Sequence, residues 1–193
     1  GLDPANKQAQ AGCSQLLDRA QWIGGGISYW DSHTHPELCV NAMILSVCAY
    51  FGVMDERVQS VLEMLLDSGT DDGAWNCRDR GRDRHGSFHT TISVLESLAI
   101  AEQRGFEGAI DEAMAGAHEF MFRHRLFRSH RTGDVIDPVW LKPHFPPRWH
   151  YDVLRGLDHL AMVGADPDER CSDAIEAVLD GRRSDGRWPK GPE

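Results

Sequence analysis

No stretch of this 193-residue chain is apolar for long enough to cross a bilayer. The richest run, Leu38 to Phe51, is broken by Asn41 and Ser46, whereas a spanning helix needs about 18 or more continuous apolar residues. Gly1 to Gln10 lacks the cationic-then-apolar layout of a secretory leader, so a soluble, cytoplasmic protein is expected. Positive charge is scarce: 20 Lys and Arg face 30 Asp and Glu, for a formal net charge of −10. Such a surface repels polyanions, which excludes nucleic acid and anionic lipid as default partners. Paired cysteines are missing too. Cys13, Cys39, Cys48, Cys77 and Cys171 form no CxxC. Four of them lie in apolar helical patterns, where a free thiol behaves as a small hydrophobe, so a reducing compartment is the simplest reading. The remaining composition, 41% hydrophobic and 26% charged, excludes a disordered chain and a coiled coil.

What is present is a repeat. Asp72-Gly73-Ala74-Trp75 returns 113 residues later as Asp185-Gly186-Arg187-Trp188, with Thr132-Gly133-Asp134 to Trp140 as a degenerate copy between them. A second signature, an aromatic followed by histidine and then a helix, reads Trp30 to His33 and His35, Phe88-His89, and Trp149-His150. The period is roughly 57 residues, in the range of repeat architectures.

Two kinds of helix fill the intervals. Apolar residues at Cys13, Leu16, Leu17, Ala20, at Val58, Val61, Leu62, Leu65, at Ile110, Met114, Ala117, Met121 and at Cys171, Ala174, Ile175, Val178 make one-sided stripes. Cys39 to Phe51, Ile92 to Ala101 and Val153 to Val163 are apolar nearly all round and predict helices covered on most sides. The alternation predicts an all-α fold with an outer ring of helices around an inner one. Inner-to-outer connections are short (Gly52 to Met54, Arg104 to Glu107, Gly164 to Pro167), and outer-to-inner ones are long and polar (Ser68 to Ser87, Ser129 to Arg148). All long loops then gather at one end, by the starts of the inner helices, where function concentrates and where free amides favour anions. Pro36 and Pro167 suit first-turn positions, and Gly24-Gly25-Gly26 marks a turn.

The DGxW turns, the alternating helices and the stretch from Asp71 to Ala99 resemble the α/α toroid of squalene and hopene cyclases and of protein prenyltransferase β subunits, above all the bacterial squalene cyclase-like group. The resemblance runs from Cys13 onward. It implies a single toroid domain over residues 1–193, with repeats at 11–67, 68–125 and 126–182 and a new one starting at 183–193. At about three and a half helix pairs the chain is an open arc or part of a longer ring, with an open side through which it could dimerise. The resemblance also implies a terpenoid cyclase or prenyltransferase, of isomerase or transferase type, that binds an isoprenoid-like apolar ligand in a central cavity. The chain lacks a DxDD acid motif, a DDxxD diphosphate motif and the glutamine of the QW repeat. Two other readings stay open: a non-catalytic helical-repeat module for a ligand or protein partner, and a lyase-type sugar enzyme with a polar Arg/His cleft.

The candidate catalytic residues are the carboxylates Asp71, Asp72, Asp134 and Asp137 and the histidines His89 and His150, all suited to acid–base work. Candidate ligand-binding residues at the long-loop end are Trp30, His33, His35, Arg78, Arg84, His85, Trp140, Trp149 and Asp152. The aromatics among them could face an apolar ligand or cation, and the Arg78 to Arg84 run could clamp an anion. Each group has a plainer alternative: capping and stacking for the histidines, solvated ion pairs for the arginines, turn structure for Trp75 and Trp188. No cofactor is expected. Zinc is the one metal worth testing, through Cys77, His85 and His89, whose spacing matches no tight ligand set.

Overall fold

The computed structural model describes residues 1–28, 34–77, 85–166, 168–189 and 191. The fold is mostly helical. Among the described residues there are seven α-helices: α1 (Lys7–Arg19), α2 (Leu38–Tyr50), α3 (Glu56–Asp67), α4 (Phe88–Gln103), α5 (Ile110–Arg123), α6 (Val153–Met162) and α7 (Ser172–Asp180), each on a stretch that the apolar pattern marks. None is long and apolar enough to cross a membrane. Two compact units, Gly1–Ala115 and Gly116–Glu193, divide the chain within α5.

In the first unit α2 packs on α4, on α3 and on α1. α4 is covered nearly all round: of residues 88–101 only His89, Glu96 and Ile100 escape full burial. A hairpin unforeseen in the sequence lies between α1 and α2. Its strands β1 (Gln21–Ile23) and β2 (Gly26–Ser28) pair antiparallel, and the Gly24-Gly25 link has φ of 54° and 83°, the two positive values that a tight primed turn demands. Asn41, the polar break in the richest apolar run, explains itself here. Fully buried, it donates to the Ile27 and Glu37 carbonyls at 2.8 and 2.9 Å and accepts the Ile27 N–H at 2.8 Å, so it fastens β2 to α2 with its polar atoms satisfied.

In the second unit α6 packs on α7 and on a 3₁₀ turn at Pro138–Leu141. The apolar composition of Val153 to Val163 predicted a helix covered on most sides. Instead, Leu154 and Met162 are 42% and 49% exposed, and Asp158 and Ala161 lie on the surface with them. α6 is a one-sided helix, because composition records how apolar a segment is and not where its neighbours stand.

The repeat is physical as well as textual. α2, α4 and α6 close by one device: Gly52, Gly105 and Gly164 take φ of 71°, 80° and 65°. The next N–H in each case returns to a carbonyl five residues back (Val53 to Cys48, Phe106 to Ala101, Ala165 to Leu160) at 2.9, 3.1 and 3.0 Å, as in a Schellman motif. The two DGxW turns also superpose bond for bond. Thr70 N–H reaches Ala74 O and Gly73 N–H reaches Thr70 O, and the same bonds join Arg183 to Arg187 and Gly186 to Arg183. The Trp75 and Trp188 indoles donate to Leu65 O and Val178 O at 2.7 and 2.6 Å. The middle copy differs: around Gly133 the turn is wider, with Ser129 N–H on Asp134 O. Pro36 precedes the α2 cap, Glu37, instead of entering the first turn. Pro167 lies outside the described residues.

Candidate functional site

α1, α3 and α6 carry ordinary side-chain caps from Asn6, Asp55 and Asp152. α2 and α4 do not, since Glu37 and Ser87 make no capping bond. The first amides of a helix need acceptors, and at α2 the acceptor is sulfur. Cys39 N–H donates to Cys77 Sγ at 3.1 Å. Cys77 is held in turn from the first turn of α4: its N–H meets Thr90 Oγ1 at 3.3 Å, and the Thr90 hydroxyl donates to Cys77 Sγ at 3.4 Å. Thr91 does the same service one step along, bonding both N–H and carbonyl of Trp75. The loop after the DGxW turn is thus fixed to α4 by two adjacent threonines, and its cysteine sits between two helix starts.

This environment favours the thiolate. The Cys39 thiol hydrogen bond pulls the Cys77 pKa down, helped by the Thr90 hydroxyl and the Cys39 and Leu38 amides and opposed by burial. Helix N-termini and donated hydrogen bonds lower thiol pKa values generally. Cys77 is half-buried and lines a cavity of about 370 Å³ with His35, Pro36, Leu38, Met64, Thr70 and Asn76. The other thiol pair contrasts with it. Cys13 and Cys48 are buried, and desolvation followed by Cys13 pushes the Cys48 thiol up to about 12.

The expected site residues divide sharply. Trp30, His33, Arg78 and Arg84 lie outside the described residues. His35 joins the Cys77 cavity. Asp72 is structural: its two oxygens accept Gly86 N–H at 3.1 and 3.0 Å and one accepts the Thr70 hydroxyl at 2.6 Å, which closes the loop. Exposed His85 stands 3.9 Å from it, Asp71 is exposed, and His89 is the second residue of α4 and half-buried. In the second unit Asp137 caps the 3₁₀ turn through Val139 N–H at 2.9 Å, and Asp134 is exposed. Trp140 is buried edge-on against Tyr151, while Trp149 is 47% exposed and stacks on His150. His150 stacks on His144. Asp152, 2% exposed, caps α6 through Arg155 N–H and accepts His144 N–H, each at 2.9 Å. No group of three potential metal ligands occurs among the described residues, so Cys77, His85 and His89 are not gathered into a zinc site.

The chain matches no family model, no curated protein and no solved structure.

Sequence reasoning passed over Cys39, Thr90 and a histidine pair. His118 on α5 and His159 on α6 meet at 2.9 Å through their Nε2 atoms. His159 is 3% exposed, its Nδ1 has no partner, and burial, then the nearby His118 and Arg155 charges, pull its pKa down to about 3. Burial lowers His118 as well. The unfolded chain protonates these rings below about pH 6.5 and the fold does not, so stability falls as pH drops through that value. Between pH 7 and pH 5 His159 alone is expected to remove about 2 kcal/mol. Urea midpoints at the two pH values measure this, and His159→Leu should flatten the difference by that amount.

Proposed function

We propose that this chain is a helical-repeat binding protein of the α/α toroid kind whose ligand, a small amphipathic electrophile, enters the cavity between the start of α2 and the end of α3 and is attacked by the Cys77 thiolate. The observation that carries the reading is the placement of Cys77 Sγ, which takes the Cys39 amide and the Thr90 hydroxyl on the wall of a 370 Å³ cavity. Activated thiols of this kind are nucleophiles, and a cavity of this size is at the small end of ligand sites. Pro36, Leu38 and Met64 offer an apolar wall, and His35, Thr70 and Asn76 a polar one.

The repeated Schellman closures and DGxW turns support the toroid. The expected acids support cyclase chemistry less well. Asp72 and Asp137 spend oxygens on backbone amides, and a general acid must instead deliver a proton to substrate. The ligand site therefore moves from a central apolar cavity to the loop end, and from carboxylate to thiol.

Incubating the protein with iodoacetamide, a small thioester and a small epoxide, then reading intact and peptide masses, tests the proposal. A single adduct on Cys77, absent in Cys77→Ser, is expected. Labelling spread evenly over the five cysteines would refute it.

A further inference from the structure

Cys77 does not stand alone. The Cys39 N–H donates to its sulfur at 3.1 Å, although the two residues are 38 apart in sequence. Cys39 belongs to the first turn of α2 and Cys77 to the loop anchored on Thr90, so the contact is held by two independent elements. Both are half-buried, and Cys77 is reached through the cavity it lines. Two cysteines brought together in this way, one of them activated and lining a cavity, are the arrangement in which one sulfur is oxidised and the other resolves it.

We infer that Cys39 and Cys77 form a peroxide-driven, reversible disulfide that switches the cavity off. The inference rests on the reading of Cys77 as an activated thiolate and adds its regulation. In the first step the Cys77 sulfur attacks one oxygen of hydrogen peroxide. An S–O bond forms, the O–O bond breaks, and the departing hydroxide takes a proton and leaves as water. Sulfur is oxidised by two electrons to the sulfenic acid, and peroxide is reduced. In the second step the Cys39 sulfur attacks the Cys77 sulfur. The S–S bond forms, the S–O bond breaks, and hydroxide leaves as water with the proton of the Cys39 thiol. A thiol reductant reverses the change by exchange, taking up the two oxidising equivalents as its own disulfide. The disulfide removes both the nucleophile and the sulfur acceptor of the α2 amide. Cys13 and Cys48 provide a built-in control: both are buried, and burial keeps the Cys48 thiol protonated.

The reduced full chain should be exposed to hydrogen peroxide, blocked with N-ethylmaleimide under denaturing conditions and peptide-mapped. A Cys39–Cys77 disulfide is expected, with free thiols falling by two, Cys13 and Cys48 still free, and iodoacetamide labelling of Cys77 falling at least about tenfold until dithiothreitol restores it. Cys39→Ala, checked for native circular dichroism, should stop at a Cys77 sulfenic acid that dimedone traps. Peroxide that leaves both thiols free while Cys77 still alkylates rapidly would overturn the switch and leave the thiolate reading standing. Slow alkylation together with no oxidation would sink both. A disulfide between Cys13 and Cys48 instead, or over-oxidation of Cys77 with Cys39 untouched, would also overturn it.

Discussion

Trp75→Ala is expected to destabilise the first unit by about 3–5 kcal/mol, and Trp188→Ala the second by only about 1 kcal/mol. The two tryptophans close the same turn and donate the same indole bond, to Leu65 O and Val178 O. Their burial differs: Trp75 is 2% exposed and Trp188 39%. Removing Trp75 leaves a large cavity, which is expensive, and takes one of two donors from Leu65 O, which keeps only the Ser68 N–H at 3.2 Å. At Trp188 water replaces the donor and fills the space, so what is lost is partial burial and the stacking of Arg182 on the ring. Urea unfolding of the two variants, followed by fluorescence and circular dichroism, measures the difference. Equal losses would mean that the turn bond itself, and not burial, sets the stability of these corners.

Cys77 is expected to alkylate with a pH midpoint near the value of about 6 to which its pKa is lowered from 9.0. A thiolate of lower pKa is also a weaker nucleophile, so the gain over an ordinary thiol is modest at neutral pH and large in acid. With a Brønsted slope of about 0.4–0.5, the advantage is roughly fourfold at pH 7 and roughly 30-fold at pH 5.5. The group is neutral below its midpoint, and reactivity falls as pH drops through it. Cys39→Ala removes the largest lowering cause and should move the midpoint up; Thr90→Val should do so by less, since the amides remain. Stopped-flow iodoacetamide rates from pH 5 to pH 9 check the profile. A midpoint near 9 in the unaltered protein would remove the basis for the thiol site.

The helices were legible because their cause is local. A stripe such as Val58, Val61, Leu62, Leu65 repeats with the helical turn and occupies one buried face of α3. The glycines at 52, 105 and 164 announce the helix ends, since only their left-handed φ is free of strain. The hairpin at Gln21–Ser28 escaped notice because three-residue strands are too short to show alternation. The candidate site was half legible. His35, among the candidates, lines the Cys77 cavity; of the four candidate acids, Asp72 and Asp137 make the clamps and caps that aspartate also makes, while Asp71 and Asp134 are exposed. In the sequence Cys77 stands out only as one member of a loose set of metal-ligand types with His85 and His89. Cys39 looks like a small hydrophobe, because a cysteine inside an apolar run reads the same whether or not a distant sulfur lies against its amide.

Sequence by itself determined, for this protein, the mostly helical class, the seven helical stretches and the recurrence of one turn at a distance of 113 residues. Each of these depends on residues within a few positions of one another. Tertiary structure decided what lies across from what. It left α6 with a wet face, turned Asn41 into a clip between β2 and α2, and gave the uncapped start of α2 a sulfur from the next loop. Partners 14 or 38 residues apart leave no periodic trace in the chain, and the protonation state of a thiol is set by the donors around it. That is why the hydrogen bonds on Cys77 follow from the placement of the helix starts beside it and not from its neighbours in sequence.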